Sequence, residues 1–467
     1  MTRRDLMILA AAGVPALAGA PKNIGRDPRL KTGFRKPELQ KGWVFVRLEG
    51  SPAEIGFQHG SLLAAEIQDC QKAIALGLTH DAKPYEFYRD AVQKILWPRV
   101  DEEYKQEIQG IADGLAAKGI ALDMWDIAVM NASLELPYYT AWFDKQNEKS
   151  KKPTVVAERC SAFVATGSYT KDGHIVIGHN CWSDYLSGGR WNIIFDIHPA
   201  SGERFIMDGL PGLIHSGDDY GVNSAGLVIT ETTISQFAGF DTSGIPEFVR
   251  ARKAMQYAKS IDDFANIMKE GNNGGYANNW LVADTKTDEI ASLELGLKNV
   301  TLERKKDGYF VGSNFPANPK LIQEETDYNS ADLSISGNAR RVRWEQLMQE
   351  YKGKIDVAAG QRFLSDHYDS FTKKNEPGER SLCGHIDLSP RGLKPWSPPY
   401  GPFGAVQNKV TDAAMAKNMS FTAHFGHACG IKFKADEYFK KHNDFAWQKG
   451  VLKDIPAPGW TVVKAVS

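Results

Sequence analysis

The stretch ERCSAF, residues 158–163, marks the point where the character of the sequence changes. Before it, residues 143–153 (FDKQNEKSKKP) contain almost no apolar side chain and no periodicity, as is typical of a solvated loop. After it, residues 161–181 (SAFVATGSYTKDGHIVIGHNC) predict two strands joined by a turn at 171–173. Cys160 therefore lies where a polar linker meets a strand. A single cysteine in such a place is usually a small core residue, so its role depends on the rest of the chain.

The chain is predicted to be mainly β from Cys160 onward. Short alternating or β-branched runs recur between Gly, Asp, Asn and Lys turn signals, as far as the run GYFVG at 308–312. Helical patterns interrupt these runs at 246–260, 261–271 and 338–352. Strands with intervening helix pairs predict two sheets packed face to face and covered by helices.

Residues 21–159 are predicted to be mostly helical. A short strand at 42–50 precedes a helix that begins at Ser51-Pro52, which are a good N-cap and a good first-turn residue, and should continue to about residue 74. Apolar residues spaced by three and four predict the further helices 85–100, 101–119 and 123–136. We therefore divide the mature chain into a helical segment, 21–159, and a core, 160–467.

Residues 1–20 have the pattern of an export signal. A charged start is followed by the apolar run ILAAAGVPALAGA, which ends in small residues typical of a cleavage site. The Arg3-Arg4 pair resembles a twin-arginine signal, with a generic signal or a short anchor as the alternative. We expect an exported protein, periplasmic or secreted, whose mature form lacks this segment.

Composition narrows the classes of partner. The 467 residues are 42% hydrophobic, enough for a large core, and carry a formal net charge of -1. A nearly neutral chain argues against nucleic acid or an anionic membrane as an electrostatic partner. No apolar run after residue 25 is long enough to cross a bilayer, so we expect no stable membrane insertion.

The five cysteines become informative if the protein is exported. In an oxidising compartment four of them could pair and one would be left over. Cys383 and Cys429 lie in Gly-flanked contexts typical of loops, and we expect them to form a disulfide. The absence of CxxC spacing makes a zinc site improbable on sequence grounds, and we expect no metal.

An N-terminal-nucleophile mechanism would explain Cys160. If the bond between Arg159 and Cys160 is cut, the new α-amino group, with an ordinary pKa of about 8, can accept the thiol proton. No separate His-Asp pair is then required. The polar segment 143–157 would be free to leave the site after cleavage.

Two stretches could complete such a site. The Gly-rich turn NNGGYANNW, 272–280, leads into a strand, and its Asn side chains could cap the turn or donate to an oxyanion. His179 ends the strand predicted to pair with the Cys160 strand, where it could stand beside the thiol or be a satisfied strand-end histidine.

Polar residues around residues 218–232 are further candidates. Glu231 and Thr232 follow the LVIT run and could line the same cleft. Asp218 and Asp219 are adjacent, so on an extended chain their side chains face opposite ways, and we interpret them as fixing the loop.

Several motifs, in order along the chain, resemble the phospholipase B-like family. They are C-S-A at 160–162, HNCWSDY at 179–185, PGLIHSGDDYGVNSAGLVITETTI at 211–234, GGYANNWLVAD at 274–284 and KVTD at 409–412. That family is similar to N-terminal-nucleophile hydrolases of the penicillin acyltransferase and bile-salt hydrolase types. The resemblance implies an α+β protein with a four-layer αββα core. It also implies cleavage before Cys160 into two chains that stay associated, with no metal or organic cofactor.

The resemblance also implies residue roles. Cys160 would be the nucleophile, His179, in an H-x-x-W pattern with Trp182, would stand near the thiol, and Asn278 would donate to the oxyanion. Related acylases have Asn-x-Asp after the second strand, so a carboxylate role would move here to Asp184. The sequence YANNW, where related acylases have YNNQW, leaves Asn279 as an alternative to Asn278.

The implied activity is hydrolysis of acyl amides or esters of lipid-like small molecules through a thioester acyl-enzyme. Two alternatives are an acyltransferase, in which an amine replaces water, and an exported binding protein that keeps the scaffold without turnover. An apolar acyl pocket is suggested by aromatic residues expected near the cleft: Phe163, Trp182, Tyr185, Trp191 and Trp280.

Overall fold

The computed structural model describes residues 27–37, 40–80, 83–147, 160–394 and 396–466. The predicted signal, residues 1–20, and the predicted cleavage-site residue Arg159 lie outside these ranges. The part before Cys160 contains the following elements: β1 (Phe34–Arg35), β2 (Val44–Gly50), α1 (Pro52–Leu62), α2 (Ala64–Thr79), α3 (Tyr85–Ala91), α4 (Glu102–Ala117), α5 (Met124–Asn131) and α6 (Leu136–Gln146).

The part from Cys160 onward is richer in strands. Its first half contains β3 (Ser161–Thr166), β4 (Val176–Asp184), α7 (Tyr185–Gly188), β5 (Ile193–Pro199), β6 (Phe205–Gly209), β7 (Gly221–Asn223), β8 (Leu227–Thr233), α8 (Glu247–Tyr257), α9 (Ile261–Lys269), β9 (Asn278–Asp284), β10 (Glu289–Leu295), β11 (Val300–Lys305) and β12 (Gly308–Gly312). Its second half contains α10 (Pro319–Glu325), α11 (Ser336–Glu350), α12 (Val357–Leu364), β13 (Tyr368–Asp369), β14 (Lys374–Asn375), β15 (Phe403–Asp412), α13 (Ala413–Lys417), β16 (Ser420–Phe425), α14 (Ala435–Lys441) and β17 (Thr461–Lys464).

Two sheets dominate the described part of the chain. The large sheet has nine strands in the order β1-β2-β5-β6-β7-β8-β9-β10-β11, and the small sheet has six in the order β12-β3-β4-β15-β16-β17. All their strand pairs are antiparallel except β2 with β5. The strand that follows Cys160, β3, lies between β12 and β4 inside the small sheet.

Three groups of buried side chains define four layers. Val164, Val228 and Leu281 belong to a cluster that fills the space between the two sheets. Helices α1, α2, α4, α5, α8 and α9 contribute to a second cluster, which covers the other face of the large sheet. Trp344 of α11 and Phe363 of α12 belong to a third, which covers the outer face of the small sheet through Phe163. The layers are helix, sheet, sheet, helix, so the predicted α+β, αββα fold is confirmed.

The predicted boundary at residue 160 does not separate two cores. β2 pairs with β5 in the interior of the large sheet, with Val44 opposite Ile193. Val46, Ile108 and Phe195 belong to one hydrophobic cluster. The segment before Cys160 therefore supplies two strands of the large sheet and most of the helices that cover it.

Helix boundaries differ from the prediction at three places. The first helix breaks at Leu63, whose φ of -119° and ψ of 25° are not helical, so α1 and α2 are separate. The predicted helix 85–100 is α-helical only to Ala91, and a π-helical turn follows at Val92–Leu96. A 3-10 turn at Trp97–Arg99 ends the segment, since Pro98 cannot lie inside an α-helix. Helix α6 continues to Gln146, into the stretch predicted to be a loop.

Helices α1 and α4 cross at very close range. A Cβ on Gly56 would lie 2.0 Å from the Glu107 carbonyl oxygen, and one on Gly60 would lie 2.1 Å from that of Ile111. The intervening His59 is buried, and its Nε2 accepts a hydrogen bond from the Gly212 amide at 2.9 Å. Burial, with nearby Arg252, lowers the pKa of His59 to about 3. His59 is thus a neutral packing residue.

In the described residues, no helix has both the length and the apolar character needed to cross a membrane.

Candidate active site

Cys160 lies directly before β3 and is fully buried. Its φ is +83°, a region that residues with a side chain rarely adopt. Its carbonyl oxygen accepts a hydrogen bond from Arg340 Nη1 at 2.7 Å, and the same nitrogen donates to Ser161 Oγ at 2.9 Å. A strained backbone of this kind persists only where its surroundings hold it, and it is common at functional sites.

Asn180 holds the beginning of β3 from the neighbouring strand. Ser161 and Asn180 are paired in the β3–β4 register, and the Ser161 amide donates to Asn180 Oδ1 at 3.1 Å. Asn180 Nδ2 in turn donates to the Leu382 carbonyl oxygen at 2.7 Å. The residue after Cys160 is thereby connected to the loop around residue 382.

The Cys160 thiol faces polar groups from both sheets. Its Sγ lies 3.8 Å from Glu231 Oε1 of β8, and ligand-type atoms of Cys160, His179 and Glu231 all lie within 4.8 Å of one another. Burial alone would raise the pKa of the Cys160 thiol, but a hydrogen bond from Cys181 and the adjacent His179 imidazole outweigh it and lower the pKa. The site therefore favours the thiolate at neutral pH.

His179 connects the thiol to a buried carboxylate. Its Nδ1 is 3.5 Å from Asp218 Oδ2, and both side chains are almost completely inaccessible to solvent. Asp218 accepts hydrogen bonds from Ser216 Oγ at 2.6 Å and from Lys409 Nζ, whereas its contact with His179 is close but not a hydrogen bond. Lys409 lies on β15 directly opposite His179. This chain of contacts gives His179 an acidic partner on its far side.

The charges behind His179 are balanced within the protein. Gln407 Nε2 donates to both Asp208 and Asp218 at 2.6 Å, and Lys409 Nζ lies 3.2 Å from Asp208. Burial tends to raise the pKa of Asp218, but Lys409 and His179 overcome it and lower that pKa. Burial and the neighbouring Asp218 raise the pKa of Asp208 well above its ordinary value. Asp218 is thus the carboxylate that stays ionised.

Glu231 is held beside the thiol in an apolar position. Tyr276 donates its hydroxyl to Glu231 Oε1 at 2.9 Å. Burial and the neighbouring Cys160 raise the pKa of Glu231 well above its ordinary value. A protonated carboxyl can donate a hydrogen bond where a carboxylate cannot.

The structure distinguishes Asn278 from Asn279. Asn278 is fully buried on β9 opposite Thr233, and neither polar atom of its amide has a hydrogen-bond partner within the described residues. Asn279 Oδ1 accepts from Ser292 Oγ at 2.7 Å, and its side chain lines a groove of about 450 Å³ that does not include Cys160. Asn278 is therefore the asparagine with an amide available to a ligand.

The remaining predicted site residues have supporting positions. Trp182 lies under the Arg340 guanidinium, whose carbon is 4.1 Å from the ring centroid. Thr232 is buried, and its side chain fills the space that a side chain at Gly312 of β12 would need. Asp184 caps the short helix α7, accepting from the Ser187 amide at 2.8 Å. The carboxylate nearest His179 is therefore Asp218, and the interpretation of Asp218 as a residue that only fixes its loop is incomplete.

The five aromatic residues are divided among three hydrophobic clusters. Phe163 packs under α11 and α12, and Trp182 belongs to a small cluster with Ile386. Tyr185, Trp191 and Trp280 belong to the large cluster that also contains Cys160. An apolar acyl pocket near Cys160 therefore stays a prediction.

The pair predicted as a disulfide is present as two free thiols. All five cysteines are free, and Cys383 and Cys429 share a cluster with His367 and His385. The sequence indicated that both cysteines lie in loops, but only the tertiary fold brings the imidazoles of His367 and His385 next to them.

Sequence reasoning missed four contributors to the site. Lys409 and Arg340 were not singled out as site residues, Asp218 was assigned to its loop, and Cys181 was counted only as a thiol. The available signal was a lysine at the centre of an otherwise buried strand, FGAVQNKVTD, since an unpaired buried lysine is very rare.

A buried thiol at the start of an interior strand, beside an imidazole backed by an ionised carboxylate, makes this an αββα protein with a candidate cysteine nucleophile. The chain belongs to the Phospholipase B family, whose model matches residues 82–458.

Relatives in curated collections are distant. An uncharacterised protein from Archaeoglobus fulgidus is 28% identical over 398 residues, covering 77% of this chain and 63% of its own. A phospholipase B-like 2 protein from Homo sapiens is 24% identical over 331 residues, covering 60% of this chain and 54% of its own. The chain thus spans between half and two thirds of these relatives.

Among solved structures, a variant of conjugated bile acid hydrolase from Clostridium perfringens is similar at 11% identity, with a TM-score of 0.27. The match covers 57% of this chain and 81% of that one.

Proposed function

We propose that this protein is an exported, self-processing cysteine hydrolase that cleaves acyl amide or ester bonds. The observation that carries the proposal is the Cys160 thiol, which is buried at the start of β3 within reach of His179 and Glu231. Membership of the Phospholipase B family supports a lipid-like acyl group as the substrate class. The export pattern in residues 1–20 supports a periplasmic or secreted location.

The first step is cleavage of the chain before Cys160. The Cys160 sulfur attacks the carbonyl carbon of Arg159, the bond from that carbon to the Cys160 nitrogen breaks, and the nitrogen takes a proton. Water then hydrolyses the thioester, which leaves a carboxylate on Arg159 and a free thiol and α-amine on Cys160. The positive φ of Cys160 supports this step, because cleavage before that residue would relieve its backbone strain.

Turnover uses the same sulfur on an external acyl group. The α-amine of Cys160 accepts the thiol proton and the thiolate attacks the acyl carbonyl carbon. The Asn278 amide, which lacks a partner in the described chain, donates to the developing oxyanion. The leaving amine or alcohol takes the proton, and water hydrolyses the thioester to release the acid.

Because Cys160 is buried, cleavage of the chain is proposed to come before turnover of an external substrate. The thiol is inaccessible in the uncleaved chain, so an external acyl group requires an opening at the site. Departure of the polar segment that precedes Cys160 would provide it. Processing is therefore proposed as the event that activates the enzyme.

Denaturing gels and intact-mass measurement of the purified protein test the proposal. We expect two fragments divided before Cys160, and an intact chain for Cys160→Ala. Cys70→Ala, which removes a buried thiol in helix α2, should be processed like the wild type. A wild-type chain that stays whole and still hydrolyses chromogenic acyl amides or esters would overturn the mechanism. A whole chain that neither hydrolyses them nor reacts with a thiol-directed acyl probe would favour a binding protein.

A further inference from the structure

The geometry points to a second site in this chain, a structural Zn²⁺ centre formed by His367, Cys383, His385 and Cys429. It lies outside the candidate active site and shares none of its side chains. Two thiolates and two imidazoles are a ligand set that suits Zn²⁺ in a closed, four-coordinate structural site.

The four side chains have the spacing of such a site. One ligand-type atom from each lies within 4.8 Å of those of the other three, and Cys429 Sγ is 3.4 Å from His385 Nε2. A zinc tetrahedron with Zn–S of about 2.3 Å and Zn–N of about 2.0–2.1 Å has edges of about 3.3–3.8 Å. Small side-chain adjustments therefore bring all four atoms to bonding distance of one ion.

The cluster is also buried and incompletely hydrogen-bonded. Cys383 and His385 are fully buried. The Nε2 atom of His367 is buried and has no hydrogen-bond partner within the described residues. Burying a polar atom without a partner is costly, and a metal ion removes that cost. A disulfide between the two cysteines would leave both imidazoles without a metal ion to offset the cost of burying them.

Surrounding residues orient the His385 ring. Its Nδ1 lies 4.0 Å from Asp387 Oδ1, which accepts a hydrogen bond from the Tyr185 hydroxyl at 2.9 Å. The His427 ring stacks on His385 at 4.0 Å between centroids. At 4.0 Å the carboxylate is too far away to accept a hydrogen bond, and His385 Nδ1 has no hydrogen-bond partner within the described residues. The other ring nitrogen, Nε2, faces Cys429 and is the one placed to bind a metal.

Such a centre would join three separate segments. His367 precedes β13, Cys383 and His385 lie on the next long loop, and Cys429 follows β16. The loop with Cys383 also carries the Leu382 carbonyl that holds Asn180, which in turn holds Ser161. The ion would therefore stabilise the loop that supports the start of β3, and its binding would release the two thiol protons.

Metal analysis of the full chain tests the site. We expect about one zinc per chain after purification and dialysis, falling at least about tenfold in Cys383→Ser and in His385→Ala. Cys160→Ala should keep its zinc, which separates this site from the Cys160, His179 and Glu231 cluster. Cys70→Ala is the matched thiol control. Zinc content that follows Cys160 instead of Cys383 would overturn the proposal.

A spectroscopic measurement on the wild type does not depend on whether the variants fold. Stripped protein titrated with Co²⁺ alone should develop the intense visible bands of a tetrahedral site and a thiolate charge-transfer band, saturating near one equivalent. Absence of these bands would contradict the site. A Cys383–Cys429 disulfide in non-reducing peptide maps of the purified protein would contradict it equally.

Discussion

Asp218 illustrates what a single residue contributes at this site. It lies between His179 and Lys409, and its pKa is held low by those two groups although burial opposes this. Its neighbour in space, Asp208, has a raised pKa, because burial and the negative charge of Asp218 outweigh the attraction of Lys409. Two buried carboxylates whose pKa values move in opposite directions give the network one fixed negative charge.

Asp218→Asn should slow cleavage before Cys160 by at least about 100-fold, because His179 loses its acidic partner. The rate can be measured by following the precursor band after synthesis in vitro.

Asp184→Asn is the matched control for that variant. Asn caps a helix about as well as Asp, so the cap of α7 is kept and the cleavage rate should stay within about twofold. A folded Asp218→Asn protein that is cleaved at the wild-type rate would show that Asp218 has only a packing role.

The lowered pKa of Cys160 predicts a pH dependence of cleavage. His179 and a hydrogen bond from Cys181 favour the thiolate, whereas Glu231 and Asp218 face the same sulfur. The fraction of thiolate rises with pH. Because the thiol pKa is lowered, the cleavage rate should already have reached its plateau at a pH below about 7, instead of still rising near the ordinary thiol pKa of about 8.5. Cleavage rates between pH 5 and 9 measure the inflection.

His179→Asn should move this inflection upward, because it removes the imidazole that lowers the pKa of the thiol. An inflection that is the same in both proteins would contradict the assigned cause.

Strand β4 shows how one element organises the site. Its side chains alternate, so His179 and Cys181 point to the thiol while Asn180 and Trp182 point to the loop around 382–384. The same strand therefore tunes the nucleophile on one face and anchors its backbone on the other. A shift of the register by one residue would exchange these two roles.

The crossing of α1 and α4 depends on glycine. Gly60→Ala should lower stability by about 3 kcal/mol, because the new methyl group would meet the Ile111 carbonyl oxygen at 2.1 Å. Gly77→Ala in α2 meets nothing closer than 3.8 Å and should raise stability by about 0.5–1 kcal/mol. Urea midpoints of the two variants measure the contrast. Equal shifts would show that the helices separate easily.

At the level of the whole molecule, the two sides of Cys160 form one folding unit. β2 is an interior strand of the large sheet, and helices from both sides share a hydrophobic cluster. Breaking one peptide bond before Cys160 removes none of these contacts.

The two chains produced by cleavage should therefore stay associated. We expect one peak in size-exclusion chromatography that separates into two fragments only under denaturing conditions. The uncleaved Cys160→Ala protein, at the same elution volume, is the control. Fragments that part in native buffer would show that the shared core is too weak to hold them.

The parts of the fold that could be predicted from the sequence are those that depend on local patterns of residues. Alternating runs identified β3, β4, β8 and β9, because strand periodicity is contained in a few neighbouring residues. The resemblance of the motifs indicated the family and the αββα layers. The break at Leu63 was missed because no proline or glycine stands there to mark it, whereas the end of α3 was missed although Pro98 is a local signal against a continuous helix.

By itself the sequence determined the family, the β-rich region that begins at Cys160 and the residues that flank the predicted cleavage. These properties reside in contiguous motifs and local periodicity. Only the tertiary structure decided that Asp218 and Lys409 stand behind His179, that Arg340 holds the Cys160 carbonyl, and that two histidines meet two cysteines at a distant loop. These residues are far apart in the chain, and strand pairing and burial, which no local pattern encodes, bring them together.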